Sequence, residues 1–100
     1  MTAEELLERY AAGERNFSGA DLKGADLRGT NLSPINFENA NLRNADLSGA
    51  IMHASMIGTD LEGAIFNGKE IKGLFCAYGA FYYYTIMPDG TTLVGPEYGR

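Results

Sequence analysis

An apolar residue recurs every five positions along most of this chain. Phe17, Leu22, Leu27, Leu32, Phe37, Leu42 and Leu47 stand at intervals of five, and the interval resumes with Met56, Leu61, Phe66, Ile71, Cys76 and Phe81. An α-helix repeats after about 3.6 residues and a β-strand after about two, so neither places such residues on one face. The chain must instead turn a corner after every unit, each unit offering one large side chain to a shared core.

The rest of each unit has a consistent chemistry. Two residues before the central position, Ala stands at 20, 25, 40, 45, 50, 54 and 64, with Thr30 and Thr59 as other small members. Two residues after it, Gly stands at 19, 24, 29, 49, 58, 63, 68 and 73, with Asn39 and Asn44 as substitutes. Gly and Asn reach the left-handed backbone region at low cost, so this slot is read as the corner. Large central and small preceding residues both point inward and fill the core together. The flanking Asp, Asn, Lys, Arg and Ser face water. The period breaks once, because Met52 and Met56 are four apart. One residue is missing near His53-Ala54-Ser55, and its loss is read as a tolerated deletion at a corner in preference to a functional kink.

Units such as Ala20-Asp21-Leu22-Lys23-Gly24, Ala25-Asp26-Leu27-Arg28-Gly29, Ala40-Asn41-Leu42-Arg43-Asn44 and Ala45-Asp46-Leu47-Ser48-Gly49 resemble the A-[DN]-L-x-x unit of pentapeptide repeat proteins. The resemblance covers roughly Arg15 to Phe81. The segments on either side also resemble small bacterial members of the kind abundant in cyanobacteria. It implies an all-β solenoid, a right-handed quadrilateral β-helix with four pentapeptides per coil. The units counted from Phe17 to Phe81 then make about three and a half coils.

Three parts follow along the chain. Residues 1–14 are expected to form a short capping helix, with Thr2 as N-cap, Glu5 three positions on, an apolar stripe of Leu6, Leu7, Tyr10 and Ala11, and Gly13 as the stop. Residues 15–81 form the repeat β-helix. Residues 82–100 form the tail, in which Phe81–Met87 and Thr91–Val94 are expected to pair as a β-hairpin around Pro88-Asp89-Gly90, packed on the last coil. The final residues, Gly95 to Arg100, are expected to be loose.

Charge and composition bear on the function. The chain carries a net charge of −5, yet between Phe17 and Phe81 seven acidic residues stand against five basic ones, a net of −2 of mixed sign. Clustered Lys and Arg, the footprint of a nucleic-acid binder, are missing from the sequence. No apolar run approaches the ~18 residues of a membrane span, and the acidic N-terminus lacks the pattern of a signal peptide. With Cys76 as its single cysteine the chain cannot form an internal disulfide, and a cytoplasmic location is expected. No enzyme is expected. His53 is the one histidine and has no partner placed by spacing, and Cys76 occupies a core slot. Asp21, Asn41 and Asp60 should stack as a column, but their carboxylates do not converge as a metal site requires. No cofactor or metal is expected, and no glycine pattern of a nucleotide-binding loop is present.

The candidate site is an interaction surface. Stacking at about twenty residues puts Ile57 and Phe75 on one outward face of neighbouring coils, where most flanking positions are polar. Such a pair is either an interface, with another protein or in a homodimer, or is covered by the tail hairpin. The expected function is a non-catalytic structural or protein–protein interaction module. The resemblance also implies an alternative, since some family members mimic the DNA duplex and bind DNA gyrase or topoisomerase IV. Lys23, Arg28 and Arg43 interrupt the acids that such mimicry needs.

Overall fold

The computed structural model describes residues 1–67, 79, 81–87 and 90–98, with the backbone alone for Tyr82, Glu97 and Tyr98. Residues about twenty apart lie side by side in parallel: Asn16 with Asn36, Asp21 with Asn41, Asp26 with Asp46. The ladder continues from Asn41 to Asp60 and from Asp46 to Ile65, then to Phe81 and Ile86. The chain is therefore a β-helix solenoid in which four five-residue units make one coil.

Each unit repeats the same hydrogen bonds. Leu22 N–H donates to the Asn41 carbonyl (2.8 Å), Gly24 N–H to the Arg43 carbonyl (2.8 Å), and Asn41 N–H back to the Ala20 carbonyl (2.9 Å). Within a coil, the small residue two before the next centre closes the turn, as Ala25 N–H does to the Leu22 carbonyl (3.0 Å). The corners are Gly19, Gly24, Gly29, Gly49, Gly58 and Gly63 together with Asn39 and Asn44, all at positive φ. The central side chains from Phe17 to Phe66 are buried in one cluster, interleaved with Ala40, Ala45, Ala50, Ala54, Ala64 and Thr59. Thr59 fits among alanines because its buried hydroxyl is paired, donating to the Phe37 carbonyl (2.7 Å).

The missing residue is accommodated on a side that has no corner. Strands β1 (Asn31–Asn36) and β2 (Ile51–Ser55) run parallel. Leu32 pairs with Met52 and Ile35 with Ala54, so Ser33 and Pro34 together oppose His53. This corrects the expectation of a deletion at a corner. Pro34 holds the slot where Gly19, Gly24 and Gly29 donate an N–H to the coil above. Proline has no such donor, so the upper strand can lose one residue there without leaving a donor orphaned.

Helix α1 (Ala3–Ala11) starts where Thr2 Oγ1 accepts from Glu5 N–H (3.1 Å) and ends at Gly13, φ 101°. Leu6 is fully buried in the solenoid core, and Ala3, Leu7 and Tyr10 pack against it. Ala11, expected in the stripe, is exposed. The helix is tied to the first coil by Arg15, whose guanidinium lies 3.7 Å from the Tyr10 ring centroid and donates to the Tyr10 carbonyl (2.6 Å).

The tail departs most from expectation. Strand β3 (Phe81–Tyr82) pairs antiparallel with β6 (Glu97–Tyr98), and β4 (Thr85–Ile86) with β5 (Thr92–Leu93). The pairing of β4 with β5 follows the expected hairpin, whose turn residues Pro88 and Asp89 lie outside the described residues. Phe81, expected as a core centre, instead lies opposite Asp60, the position before a centre, and is half-buried. A nineteen-residue step is followed by a step of twenty-one, from Asp60 to Phe81 and from Ile65 to Ile86. Gly79, stacked on Gly58, carries the same shift. Thr85 thereby takes the small inward slot, fully buried, and donates to the Leu61 carbonyl (2.5 Å) as Thr59 does one coil earlier. The closing residues are not all loose, because Glu97 and Tyr98 pair with β3.

Candidate interaction surface

The outward side chains stand in columns set by the parallel register. The Asp or Asn before each centre does more than face water. In Asn16, Asp21, Asp26, Asn36, Asn41, Asp46 and Asp60, Oδ1 accepts from the N–H two residues on, at 2.8–3.2 Å. These are Asx-turns, and they explain why short Asx residues recur at this slot. The expected column of Asp21, Asn41 and Asp60 is present. One oxygen of each is committed to its own backbone.

The column of the residues after each centre carries the charge. On one face it reads Lys23, Arg43, Glu62 and Tyr83, each carbonyl accepting from the corner N–H one coil below, except at the first. Arg43 reaches up to the next coil, with Nη2 2.8 Å from Glu62 Oε2 and Nε 3.8 Å from Asp60 Oδ2. On the neighbouring face Arg28 holds Asp26 through two hydrogen bonds of 2.8 Å. That bidentate contact, helped by the Arg28 N–H, pulls the Asp26 carboxyl down to about 2. A carboxyl with a depressed folded value contributes stability above its unfolded value of about 3.9 and loses it as pH falls through about 2. In Arg28→Gln, Asp26 is expected to titrate close to the ordinary carboxylate range. Carbon-detected NMR of the side chain checks this, and an unchanged midpoint would show the guanidinium to be irrelevant.

Ile57 follows Met56 in a turn and is half-buried. Its carbonyl accepts from Asn39 N–H (2.8 Å), as the Glu38 carbonyl accepts from Gly19 N–H (2.9 Å), so Ile57 continues the polar column of Ser18 and Glu38. Phe75, its expected neighbour, lies outside the described residues, as does Cys76. His53 is exposed in β2, opposite Ser33 and Pro34. Sequence reasoning missed a second outward apolar group, the aromatic side chains of Phe81, Tyr83 and Tyr84. The Phe81 and Tyr83 rings are 6.3 Å apart and those of Tyr83 and Tyr84 4.7 Å. Its cause is the one-residue shift in pairing, which moves Phe81 from a core slot to an outward one and leaves no mark on the five-residue count.

Among the described residues no helix is long and apolar enough to cross a membrane. The family model of pentapeptide repeats matches residues 16–53 and 36–68, in eight copies, and so spans just over half of the chain. Among solved structures the chain is similar to a pentapeptide repeat protein from Nostoc Pcc 7120, with 27% sequence identity. The match covers 87% of this chain and 73% of that one, with a TM-score of 0.40. Among curated proteins none matches significantly.

Proposed function

The chain belongs to the pentapeptide repeat family, and from that premise we propose that it is a non-catalytic module for protein–protein interaction. The observation that carries the reading is the parallel register. It sets outward residues in flat columns such as Ser18, Glu38 and Ile57, while the central side chains go to the core and the Asx side chains to their own turns. A surface of this kind suits a broad, flat contact with another protein.

The proposed contact face contains Ile57, apolar among polar column neighbours, together with Phe75. Its test is capture from native lysate by the full chain and by the Ile57→Asp/Phe75→Asp double variant, with a thermal melt to show that the variant still folds. A partner lost only from the variant supports this face. Equal recovery by both proteins removes it. A homodimer through the same face would instead appear as a change in sedimentation coefficient.

The mimic of DNA is the second reading, and it keeps a place because Asp26, Asp46, Asp60 and Glu62 share two adjacent faces. Two guanidiniums interrupt them, Arg28 on Asp26 and Arg43 between Asp60 and Glu62. A duplex mimic needs a continuous anionic stripe. The module reading therefore expects no inhibition of gyrase supercoiling at concentrations that saturate the captured partner.

The finer architecture belongs to the same proposal. A right-handed solenoid of about three and a half coils has α1 over its first coil, supported by buried Leu6, and antiparallel β5 and β6 over its last. The proposed division is a capping helix in 1–14, a repeat body over 15–81 and a tail over 82–100, and the parallel bridge of Ile65 with Ile86 supports carrying the body on to Ile86. A cytoplasmic setting is supported by the single cysteine.

A further inference from the structure

We propose that the Tyr83–Tyr84 corner is a second binding surface, one that takes an arginine side chain from an extended segment of a protein partner. Tyr84 stands where every coil below has a glycine or an asparagine. Gly63 N–H donates to the Tyr83 carbonyl (2.7 Å), just as Asn44 N–H donates to the Glu62 carbonyl (2.8 Å) and Gly24 N–H to the Arg43 carbonyl (2.8 Å). The column of corners is thus Gly24, Asn44, Gly63, Tyr84, with φ of 72°, 58°, 70° and 52°. A bulky residue in the left-handed region is held there against its own steric preference. Such outliers collect at functional positions.

The ring gives little back to the fold, for Tyr84 is 56% exposed. What it does is pack at a 43° tilt against Tyr83, with the ring centroids 4.7 Å apart, while more than half of the residue stays exposed to solvent. The charge beside the ring selects the ligand. Tyr83 sits one coil above Glu62, and Phe81 one coil above Asp60. Among the described residues these two carboxylates share one guanidinium, that of Arg43, which leaves one negative charge in excess beside the rings. An aromatic face with a carboxylate rim attracts a cation, and a planar guanidinium stacks on it better than an ammonium. The same chemistry occurs within the chain, where Arg15 lies over Tyr10 and Arg9 over Phe17. Among the described residues no guanidinium or ammonium lies over Tyr83 or Tyr84. Nucleic acid is disfavoured by the same carboxylates.

The surface is separate from the Ile57 face. It rests on the interaction-module reading only in taking a protein as partner, and its test reads binding directly. The probe is a short dye-labelled peptide of alternating Gly and Arg, measured by fluorescence anisotropy against the full chain at about 0.15 M salt, where diffuse charge attraction is screened. Peptides with Lys or Glu in place of Arg are the comparisons. The Arg peptide should bind most tightly, the Lys peptide more weakly and the Glu peptide not at all. Tyr84→Gly should weaken the Arg peptide about fivefold or more, while Tyr84→Phe keeps it. Because Gly accepts the corner conformation, the Tm of Tyr84→Gly should hold or rise by up to about 5 °C. The proposal is overturned by equal binding of Arg and Lys peptides, by no binding of the Arg peptide, or by an unchanged affinity in Tyr84→Gly. A clear fall in the Tm of Tyr84→Gly also overturns it, because the ring would then be a packing element.

Discussion

Phe37→Ala should lower the unfolding free energy by about 3–5 kcal/mol, the range for emptying a fully buried aromatic site. Phe37 is completely buried in the second coil, with Phe17 at the same place in the coil below and Met56 in the coil above. Its backbone is held from three directions. Phe37 N–H donates to the Ser55 carbonyl (2.9 Å), and its carbonyl accepts from Ala40 N–H (2.9 Å) and from the Thr59 hydroxyl (2.7 Å). A solenoid side pinned in this way cannot move inward to close the void, so the cavity cost is expected in full. Against a typical total of about 5–15 kcal/mol for a domain, the loss is large. Urea denaturation followed by circular dichroism measures it through the midpoint at constant slope. A change under about 1 kcal/mol would mean that the coils slide to refill the site, and would contradict the rigid ladder.

The second large effect concerns two glycines with the same backbone and different neighbours. Gly24 and Gly63 share one corner column, with φ of 72° and 70°. A Cβ on Gly24 would meet nothing within 4 Å, whereas one on Gly63 would collide with Oδ1 of Asn44 in the coil below. Gly24→Ala should therefore cost only the left-handed penalty of about 1–2 kcal/mol. Gly63→Ala should cost about 2–3 kcal/mol, since it adds the displacement of the Asn44 side chain. Adding Asn44→Gly to Gly63→Ala should recover the difference and leave the penalty seen at Gly24. The double-mutant cycle isolates that coupling. Equal losses at Gly24 and Gly63 would show that Asn44 swings away freely. The same rule covers Asn39 beneath Gly58, so a corner asparagine requires glycine directly above it.

Much of the molecule was legible in advance because its period is local. The core centres from Phe17 to Phe66, the small residues before them and the Gly and Asn corners each follow from one five-residue unit. Helix α1 was legible through Thr2 and Leu6, though Ala11 is exposed because the helix ends there. At Phe81 the period misled. Phe81 matches an unbroken count of five from Met56, yet the ladder places it opposite Asp60. A count along the chain cannot detect a compensating residue. Pairing between coils can, because each strand must satisfy the N–H and C=O groups of the coil beneath it.

The candidate surface divides in the same way. Ile57 could be placed on an outward column from spacing alone, and its neighbours Ser18 and Glu38 agree. The tyrosines could not be placed, because Phe81–Tyr84 has the composition of an ordinary strand and hides a corner at Tyr84. The Asx side chains were equally opaque. Asp and Asn look solvent-facing by polarity, and only the geometry shows each one holding the N–H two residues ahead.

What the sequence determined by itself is the repeating unit: which side chain points inward and where the chain turns, with the β-helix solenoid implied by the resemblance of that unit to pentapeptide repeats. These are contests decided within five residues, by burial and by backbone preference. What only the tertiary structure decided is register between coils. It set the straight side at Pro34, the shift at Phe81, the left-handed Tyr84 and the sharing of Arg43 between Asp60 and Glu62. The reason is physical. A coil cannot bury its centres or satisfy its backbone alone, so its neighbours choose which nearby residues fill each slot.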